Sequence, residues 1–374
     1  MFGFSFGKKT ILGIDIGTAS LKVVELEIRD DKPPHLSNYA WMPIPEVIKE
    51  DNDSEKSFFE TNVPEFLKKL LKEAKFKTKD AYVSISAFGG LVTLIELPEM
   101  PEKDLEQAVR FEAHKYIPTS LDNVTISWEV VEGESLAEPA SSPEKEGVIL
   151  DDKTPKKIQV LLVAAFKNRI SAYEKVVKAA GLNLRGIEIE SISMVESLIG
   201  NDQGKFVIID IGFRVCNVIY VEKGIIRANR NIDAGGANIT STIAKGMGIS
   251  EERAEGFKIS GKNFFSASSS LRFPTLDAIS SEVARILEAA ARDKSNHRLD
   301  AIILSGGTAG LNGLAEYFQT KFNIKTVIGN PFGRITYDKK LEPLVEKIKN
   351  EFSVCIGLAL KESENHTKWG LNKK

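Results

Sequence analysis

Two cysteines, four histidines and three tryptophans are all that 374 residues hold of these types. Cys216 and Cys355 both sit in apolar runs that read as buried, which argues against a disulfide scaffold or a cysteine-based zinc site and fits a reducing cytoplasm. His35, His114, His297 and His366 are scattered, without metal-ligand spacing. An excess of one charge is also missing. Lys plus Arg number 50 against 52 Asp plus Glu, so no whole-chain field exists to hold nucleic acid or anionic lipid. No window approaches the ~18 to 20 uninterrupted apolar residues of a bilayer-crossing helix. Met1 to Lys9 alternates Phe with small residues and has too few apolar positions for a signal peptide. Neither nucleic-acid binding nor direct membrane insertion is expected, and membrane association would come through partners.

What is present is an ordinary soluble balance, 42% hydrophobic and 27% charged, in a chain longer than the ~100 to 200 residues of one core. Two lobes with smaller additions are expected. Ile11 to Ile16 and Leu21 to Leu26 read as a β-hairpin around the Gly17-Thr-Ala-Ser20 turn. A strand at Leu36 to Ile44 and a helix at Val63 to Ala74 follow. From Ala81 the pattern changes to strands at Tyr82 to Ala87 and Leu91 to Leu97, then a helix entered at Pro101. Further strands fall at Thr125 to Val131 and Ile158 to Phe166, and a helix over Arg169 to Ala180 closes at Gly181. Glu132 to Lys157, rich in Glu, Ser, Pro and Lys, reads as a disordered loop. Phe206 to Gly212 and Cys216 to Val221 then repeat the opening hairpin. Helical patterns fill Ala237 to Ala291 around a Ser-rich loop at Lys262 to Ser270. A last strand, Ala301 to Leu304, precedes a helix at Leu311 to Phe322.

The predicted divisions are a first lobe at 10–80, continued with a connecting helix at 182–204, and an inserted subdomain at 81–181. A second lobe spans 205–352, and a C-terminal helix with a polar tail spans 353–374.

Three turns carry chemistry. In Asp15-Ile-Gly-Thr-Ala-Ser20 a strand delivers a carboxylate to its end, and the turn can aim backbone N–H groups and hydroxyls at a phosphate chain, with Gly17 allowing close approach. Lys22 on the next strand can reach the same phosphates as a point charge. Taken alone, this reads equally as a polar hairpin turn. Asp210-Ile-Gly212 repeats the arrangement 195 residues on (210 − 15), so two carboxylates can face each other across a cleft and hold hydrated Mg²⁺. Ser305-Gly-Gly-Thr308, between strand and helix, offers a bare surface for a nucleoside at Gly306 and Gly307.

The order of these motifs resembles the actin, Hsp70 and FtsA superfamily, over nearly the whole chain. The resemblance implies an α/β, actin-like (ribonuclease H-like) two-lobed ATPase fold whose cleft holds ATP and Mg²⁺. By this resemblance Asp15 and Asp210 match the magnesium-site aspartates, while Gly17, Thr18, Ala19, Ser20 and Lys22 form the first phosphate loop. Gly212, Phe213 and Arg214 form the second. Gly306, Gly307 and Thr308 lie against adenosine. Glu190 fits the acid that orients the attacking water, with Glu188 two residues away as a competitor. Glu255 and Lys258 match the pair beside ribose and base, although an i, i+3 surface pair reads the same. Asp233-Ala-Gly235-Gly236 resembles the Gly-Gly turn of FtsA-like proteins.

An insertion at Ala81 to Gly181 is similar to that of FtsA and PilM. Met100-Pro-Glu, Val109-Arg-Phe-Glu112, Tyr116-Ile-Pro118, Val327-Ile-Gly-Asn-Pro-Phe332 and Val354-Cys-Ile-Gly-Leu-Ala-Leu360 resemble the PilM family specifically. That resemblance implies a cytoplasmic adaptor of type IV pilus assembly, peripheral to the inner membrane. Its partner would be the N-terminal cytoplasmic tail of a PilN-like inner-membrane protein, lying beside the insertion, with other pilus components and self-association as further contacts.

One departure bears on catalysis. Phe213-Arg-Val-Cys-Asn217 stands where relatives carry small residues and Thr, which leaves hydrolysis slow or absent, although Arg214 can replace one contact as a cation. Two other readings remain. An FtsA-like division filament would end in an amphipathic helix, and Lys361 to Lys374 has no apolar stripe. A small-molecule kinase would need a sugar pocket, and no separate strand-end Asp or Asn cluster marks one.

Overall fold

The computed structural model describes residues 9–29, 32–44, 52–131, 156–266, 269–292 and 298–363. Expectations for residues 132–155 of the acidic loop, 1–8, 267–268 and the tail from 364 lie outside these residues, as do His297 and His366. The chain opens with β1 (Lys9–Ile16), β2 (Ser20–Ile28), β3 (His35–Pro43), α1 (Asn52–Glu73) and β4 (Asp80–Ile85). Next come β5 (Gly90–Pro98), α2 (Glu102–Ala113), β6 (Val124–Val131), β7 (Lys157–Phe166), α3 (Lys167–Ala179), β8 (Asn183–Ile189) and α4 (Glu190–Leu198). The second half runs β9 (Lys205–Ile211), β10 (Cys216–Glu222), β11 (Ile225–Ile232), α5 (Gly236–Met247), α6 (Glu251–Ile259) and α7 (Pro274–Arg292). It closes with β12 (Ala301–Ser305), α8 (Leu314–Phe322), β13 (Thr326–Ile328), α9 (Glu342–Ile348) and α10 (Ser353–Leu360).

Two five-stranded sheets share one plan, β3-β2-β1-β4-β8 and β11-β10-β9-β12-β13. In each, three strands form an antiparallel meander and two more add in parallel. Strand β4, which opens the 81–181 segment, pairs with β1 and β8 in the first sheet. A third sheet, β5-β7-β6, has a core of its own on one face, where Ile95, Val160 and Leu162 pack on Leu105 and Val109 of α2, while Val92, Leu161 and Val163 on the other face join the core of Leu12 and Ile14.

Strand β1 is apolar on both faces because both are covered. Leu12 and Ile14 face a core that includes Leu67 of α1 and Val176 of α3, while Ile11 faces Cys355 and Ile356 of α10. The odd-numbered side of β1 therefore looks toward α10, and Asp15 lies on it.

Two glycines let α10 approach this closely. A Cβ on Gly13 would lie 1.9 Å from the Cys355 carbonyl oxygen, and one on Gly357 would lie 1.8 Å from that of Ser193 in α4. Backbone cannot yield as a flexible side chain does, so Gly357→Ala forces the two helices apart. We expect it to lower stability by about 1–3 kcal/mol or more, read as a lower urea midpoint at unchanged slope.

Candidate functional site

The two hairpin turns close alike. Gly17 N–H donates to Ser20 O at 3.0 Å, and Gly212 N–H donates to Val215 O at 2.9 Å. Phe213 and Arg214 therefore fit the second turn without changing how its backbone closes. In the first turn Thr18 is exposed, Gly17 and Ala19 are half-buried, and Ser20 is buried.

Asp15 is cross-strand from Lys22, whose Nζ stands 3.7 Å from its carboxylate, and it accepts a hydrogen bond from Ser84 Oγ on β4 at 3.2 Å. Asp210 is cross-strand from Asn217 and Ser305, and the Ser305 hydroxyl donates to Ser353 Oγ at 3.0 Å. The repeat thus places a serine on the strand beside each aspartate. Sequence reading found Lys22 but missed Ser84, Ser305 and Asn217. The signal for Asn217 was its distance of seven residues after Asp210, the same as Lys22 after Asp15 (217 − 210 and 22 − 15).

The first and second lobes bring their charges into one field. Burial pushes the Asp210 carboxyl up to about 6, and the Asp15 charge adds to this against the opposing pull of Ser305 and Lys22. Glu190 is raised well above the usual carboxylate range by burial, then by Asp15 and Asp210, against a hydrogen bond from Ala87 N–H and the charge of Lys22. Burial would lower the Lys22 ammonium, but Asp15, Glu351, Cys355 and Asp210 outweigh it and hold the pKa above its ordinary value. Three carboxylates and one ammonium therefore share a locality between the sheets. Glu188 is elsewhere: it is fully buried and paired with Lys361.

The remaining sequence-predicted residues gather around the second turn. Gly236 N–H donates to Gly212 O at 2.9 Å, and a Cβ on Gly235 would lie 2.6 Å from Phe213 O. Thr308 N–H donates to Ile211 O at 3.1 Å, and Thr308 Oγ1 lies 3.5 Å from Gly212 O. Gly306 has φ +88°, a conformation that favours glycine, and a Cβ there would lie 2.5 Å from Ile211 O. It exchanges two hydrogen bonds with Asn350, at 2.7 and 2.8 Å. Gly307 faces the Glu351 side chain. Lys258 is 7% exposed; its Nζ donates to Gly236 O at 3.3 Å and Thr240 Oγ1 at 2.9 Å, and it pairs with Glu255 at 2.6 Å. The Glu255–Lys258 pair has i, i+3 spacing, yet its lysine is buried against the Gly-Gly turn rather than on a solvated face.

Comparison with known proteins places this geometry. The family model described as Type IV pilus assembly protein PilM matches residues 13–363. The chain belongs to that family. As a PilM-family chain it is similar in structure to a PilM–PilN type IV pilus biogenesis complex, at TM-score 0.75 and 23% identity, covering 96% of this chain and 100% of that one. It is similar to the cell division protein FtsA of Streptococcus pneumoniae serotype 2, 22% identical over 351 residues, which are 85% of this chain and 75% of that protein. MreB5 of Spiroplasma citri, solved bound to ADP, aligns at TM-score 0.50 and 14% identity over 95% of this chain and 96% of that one. The fold is the actin-like two-lobed ATPase fold with an inserted α+β subdomain of the FtsA and PilM kind. Among the described residues, no helix is long and apolar enough to cross a membrane.

Proposed function

We propose that this chain holds ATP with Mg²⁺ between its two five-stranded sheets and serves type IV pilus assembly as an adaptor. In this role it binds the N-terminal cytoplasmic tail of a PilN-like inner-membrane protein. The observation that carries the nucleotide reading is the convergence of Asp15, Asp210, Glu190 and Lys22, residues distant in sequence, on one field.

Gly17, Thr18, Ala19, Ser20 and Lys22 hold one side of the phosphates, and Gly212, Phe213 and Arg214 hold the other. Gly235, Gly236, Glu255, Lys258, Gly306, Gly307 and Thr308 line the adenosine side. The donor set suits the metal. Among the described residues no three His, Cys, Asp or Glu side chains form a metal group by themselves, and Mg²⁺ needs only one or two carboxylates beside waters and phosphate oxygens. Asp15 and Asp210 supply those carboxylates. When bound, the cation neutralises phosphate charge.

The lobes divide at 10–80 with 182–204, and 205–352, with 353–374 returning to the first lobe. The 81–181 segment supplies the partner surface through β5, α2, β6 and β7, while its first residues, Ser84 and Ala87, meet Asp15 and Glu190. The PilN partner named in the PilM–PilN complex supports a PilN-like tail as ligand, and attachment to the inner membrane then follows from the partner.

The test is to titrate a labelled synthetic tail of the cognate PilN-like protein into the full chain, with and without Mg²⁺ and ATP. Saturable tail binding together with nucleotide binding supports the reading. A chain that binds nucleotide and forms filaments on vesicles but ignores the tail supports the FtsA-like alternative instead.

The raised Asp210 carboxyl carries its own pH dependence. Its folded pKa lies above the unfolded value, so between about 4 and 6 the native state binds more protons and stability falls as pH rises. With Mg²⁺ removed by EDTA, we expect the chain to be more stable at pH 5 than at pH 7.5 through this group by about 1.4 kcal/mol, since only the unit between pH 5 and the folded value of about 6 contributes. Asp210→Asn should reduce that difference in urea titrations at the two pH values.

A further inference from the structure

The near balance of charge over the whole chain conceals a local excess. From Lys69 to Lys79 the sequence holds five lysines and one acid, Glu73. Lys69 and Lys72 are exposed on the last turns of α1, and Lys75, Lys77 and Lys79 are exposed on the segment that joins α1 to β4. Several other exposed lysines of this chain sit against carboxylates: Lys68 with Glu65, Lys115 with Glu112 and Lys175 with Glu60. Among the described residues, none of these five pairs with an acid. Like charges three or four residues apart on a helix destabilise it, and here they continue past its end.

The backbone beneath the lysines is fixed. Helix α1 closes on two capping bonds, from Phe76 N–H to Leu71 O at 3.1 Å and from Lys75 N–H to Lys72 O at 3.2 Å. This closure puts Lys75 at φ +57°, in the left-handed region that favours glycine. Beyond it the carboxylate of Glu25, only 2% exposed, accepts from Lys77 N–H at 3.1 Å, Thr78 N–H at 3.0 Å and Ser37 Oγ at 3.0 Å. Asn183 N–H donates to Lys79 O at 2.8 Å. Phe76 and Thr78 are half-buried, and the lysines that alternate with them are exposed. A lysine at a glycine position and a run of unpaired like charges are two separate losses of stability, and an external anionic surface offsets both.

We infer that this lysine cluster on the first lobe docks the chain, without insertion, onto the anionic lipid headgroups of a membrane surface. Its cations are all lysines, whereas recognition of a single phosphate favours the bidentate fork of arginine. Point charges spread over a rigid segment match a layer of headgroups better than one fixed anion. No large apolar side chain is exposed among them, since Leu71 and Phe76 are half-buried and Leu70 is buried, so the attraction is electrostatic. With a net charge of only −2 over the whole chain, this face attracts while the rest does not, and docking selects one orientation. The choice of a membrane as occupant rests on the adaptor reading above, in which the PilN-like tail already brings the chain to that surface. Each lysine near an anionic surface strengthens attachment by about fivefold.

The test is flotation of the full chain with vesicles of phosphatidylethanolamine and phosphatidylglycerol, and with vesicles of phosphatidylcholine, at about 0.1 M and about 1 M salt. Binding is expected on the anionic vesicles at low salt alone. Combining Lys72→Gln, Lys77→Gln and Lys79→Gln should weaken it by about 100-fold. Combining Lys339→Gln, Lys340→Gln and Lys347→Gln lowers net charge equally. These lysines flank Val345, which packs in the core on the α10 side, so binding should change by less than about threefold. Lys75→Gly separates charge from fold: the urea midpoint should rise as the left-handed strain is relieved, while binding falls by about fivefold. Equal binding by the two triple variants, binding that persists on phosphatidylcholine, or a wild-type chain that stays off anionic vesicles overturns the inference. So does competition in which polyglutamate or duplex DNA outbinds the vesicles, or a Lys75→Gly chain that binds as wild type does. The tail titration decides the adaptor reading separately, because the Lys72, Lys77 and Lys79 variant should bind the tail as wild type does. A chain that binds anionic vesicles through these lysines but ignores the tail overturns that reading and leaves the lysine surface standing.

Discussion

Lys22→Ala should weaken binding of Mg²⁺ and ATP by about 100-fold or more, the loss expected when one partner of a buried, hydrogen-bonded charge pair is removed. Lys22 is the ammonium that opposes the raised state of both Asp210 and Glu190, and its Nζ lies 3.7 Å from Asp15. Without it the carboxylates face one another and an incoming triphosphate with that positive charge gone. Lys22→Arg should retain most of the affinity, because the charge survives even though the point-like ammonium does not. Asp15→Ala acts on the same field from the other side by removing the carboxylate that pairs with Lys22. Titration calorimetry or a fluorescent nucleotide reads the result. Full affinity in both Lys22→Ala and Asp15→Ala would place the nucleotide somewhere else.

The second large effect lies away from the cleft. Glu188 is fully buried on β8 and its partner is Lys361, just past α10. The ion pair ties the last helix to the first sheet. Lys361→Met removes one charge and strands the other, and breaking a buried pair in this way costs about 3–5 kcal/mol. The double variant Glu188→Leu with Lys361→Met removes both charges and should recover most of that loss. Strong non-additivity of this kind is the mark of a direct pair. Urea denaturation of the two single variants and the double variant checks it; additive losses would show that the two side chains stabilise the fold separately.

The same residue shows where reading along the chain stops. In Ile187-Glu-Ile-Glu-Ser191 the two glutamates are two apart, and on one continuous strand they would share a face. The strand β8 ends at Ile189 and α4 begins at Glu190, so the chain turns between them. Glu190 goes to the cleft and Glu188 into the first lobe. Only the location of that turn separates an acid in the site from an acid in the core. Strand β11 was missed for a related reason. Ile225-Ile-Arg-Ala-Asn-Arg-Asn-Ile232 lacks the apolar alternation of a half-buried strand. Its polar side chains instead meet the inserted segment and the connecting helix: Arg227 with Gln159, Asn231 with Ala87, and Asn229 with Ser191 at 3.3 Å.

Local chemistry by itself determined the two hairpins, the three glycine turns and the aspartates that end their strands, because each rests on alternation and turn residues within about ten positions. The tertiary structure decided everything that needed a partner from far along the chain. It set Ser84 and Ser305 against their aspartates and placed β4 in the first sheet. It also separated Glu188 from Glu190, and it aligned Asn217 and Asn231 with Asp210 in one row. Cross-strand register and charge fields act through space, and sequence distance carries no trace of them until the strands have paired.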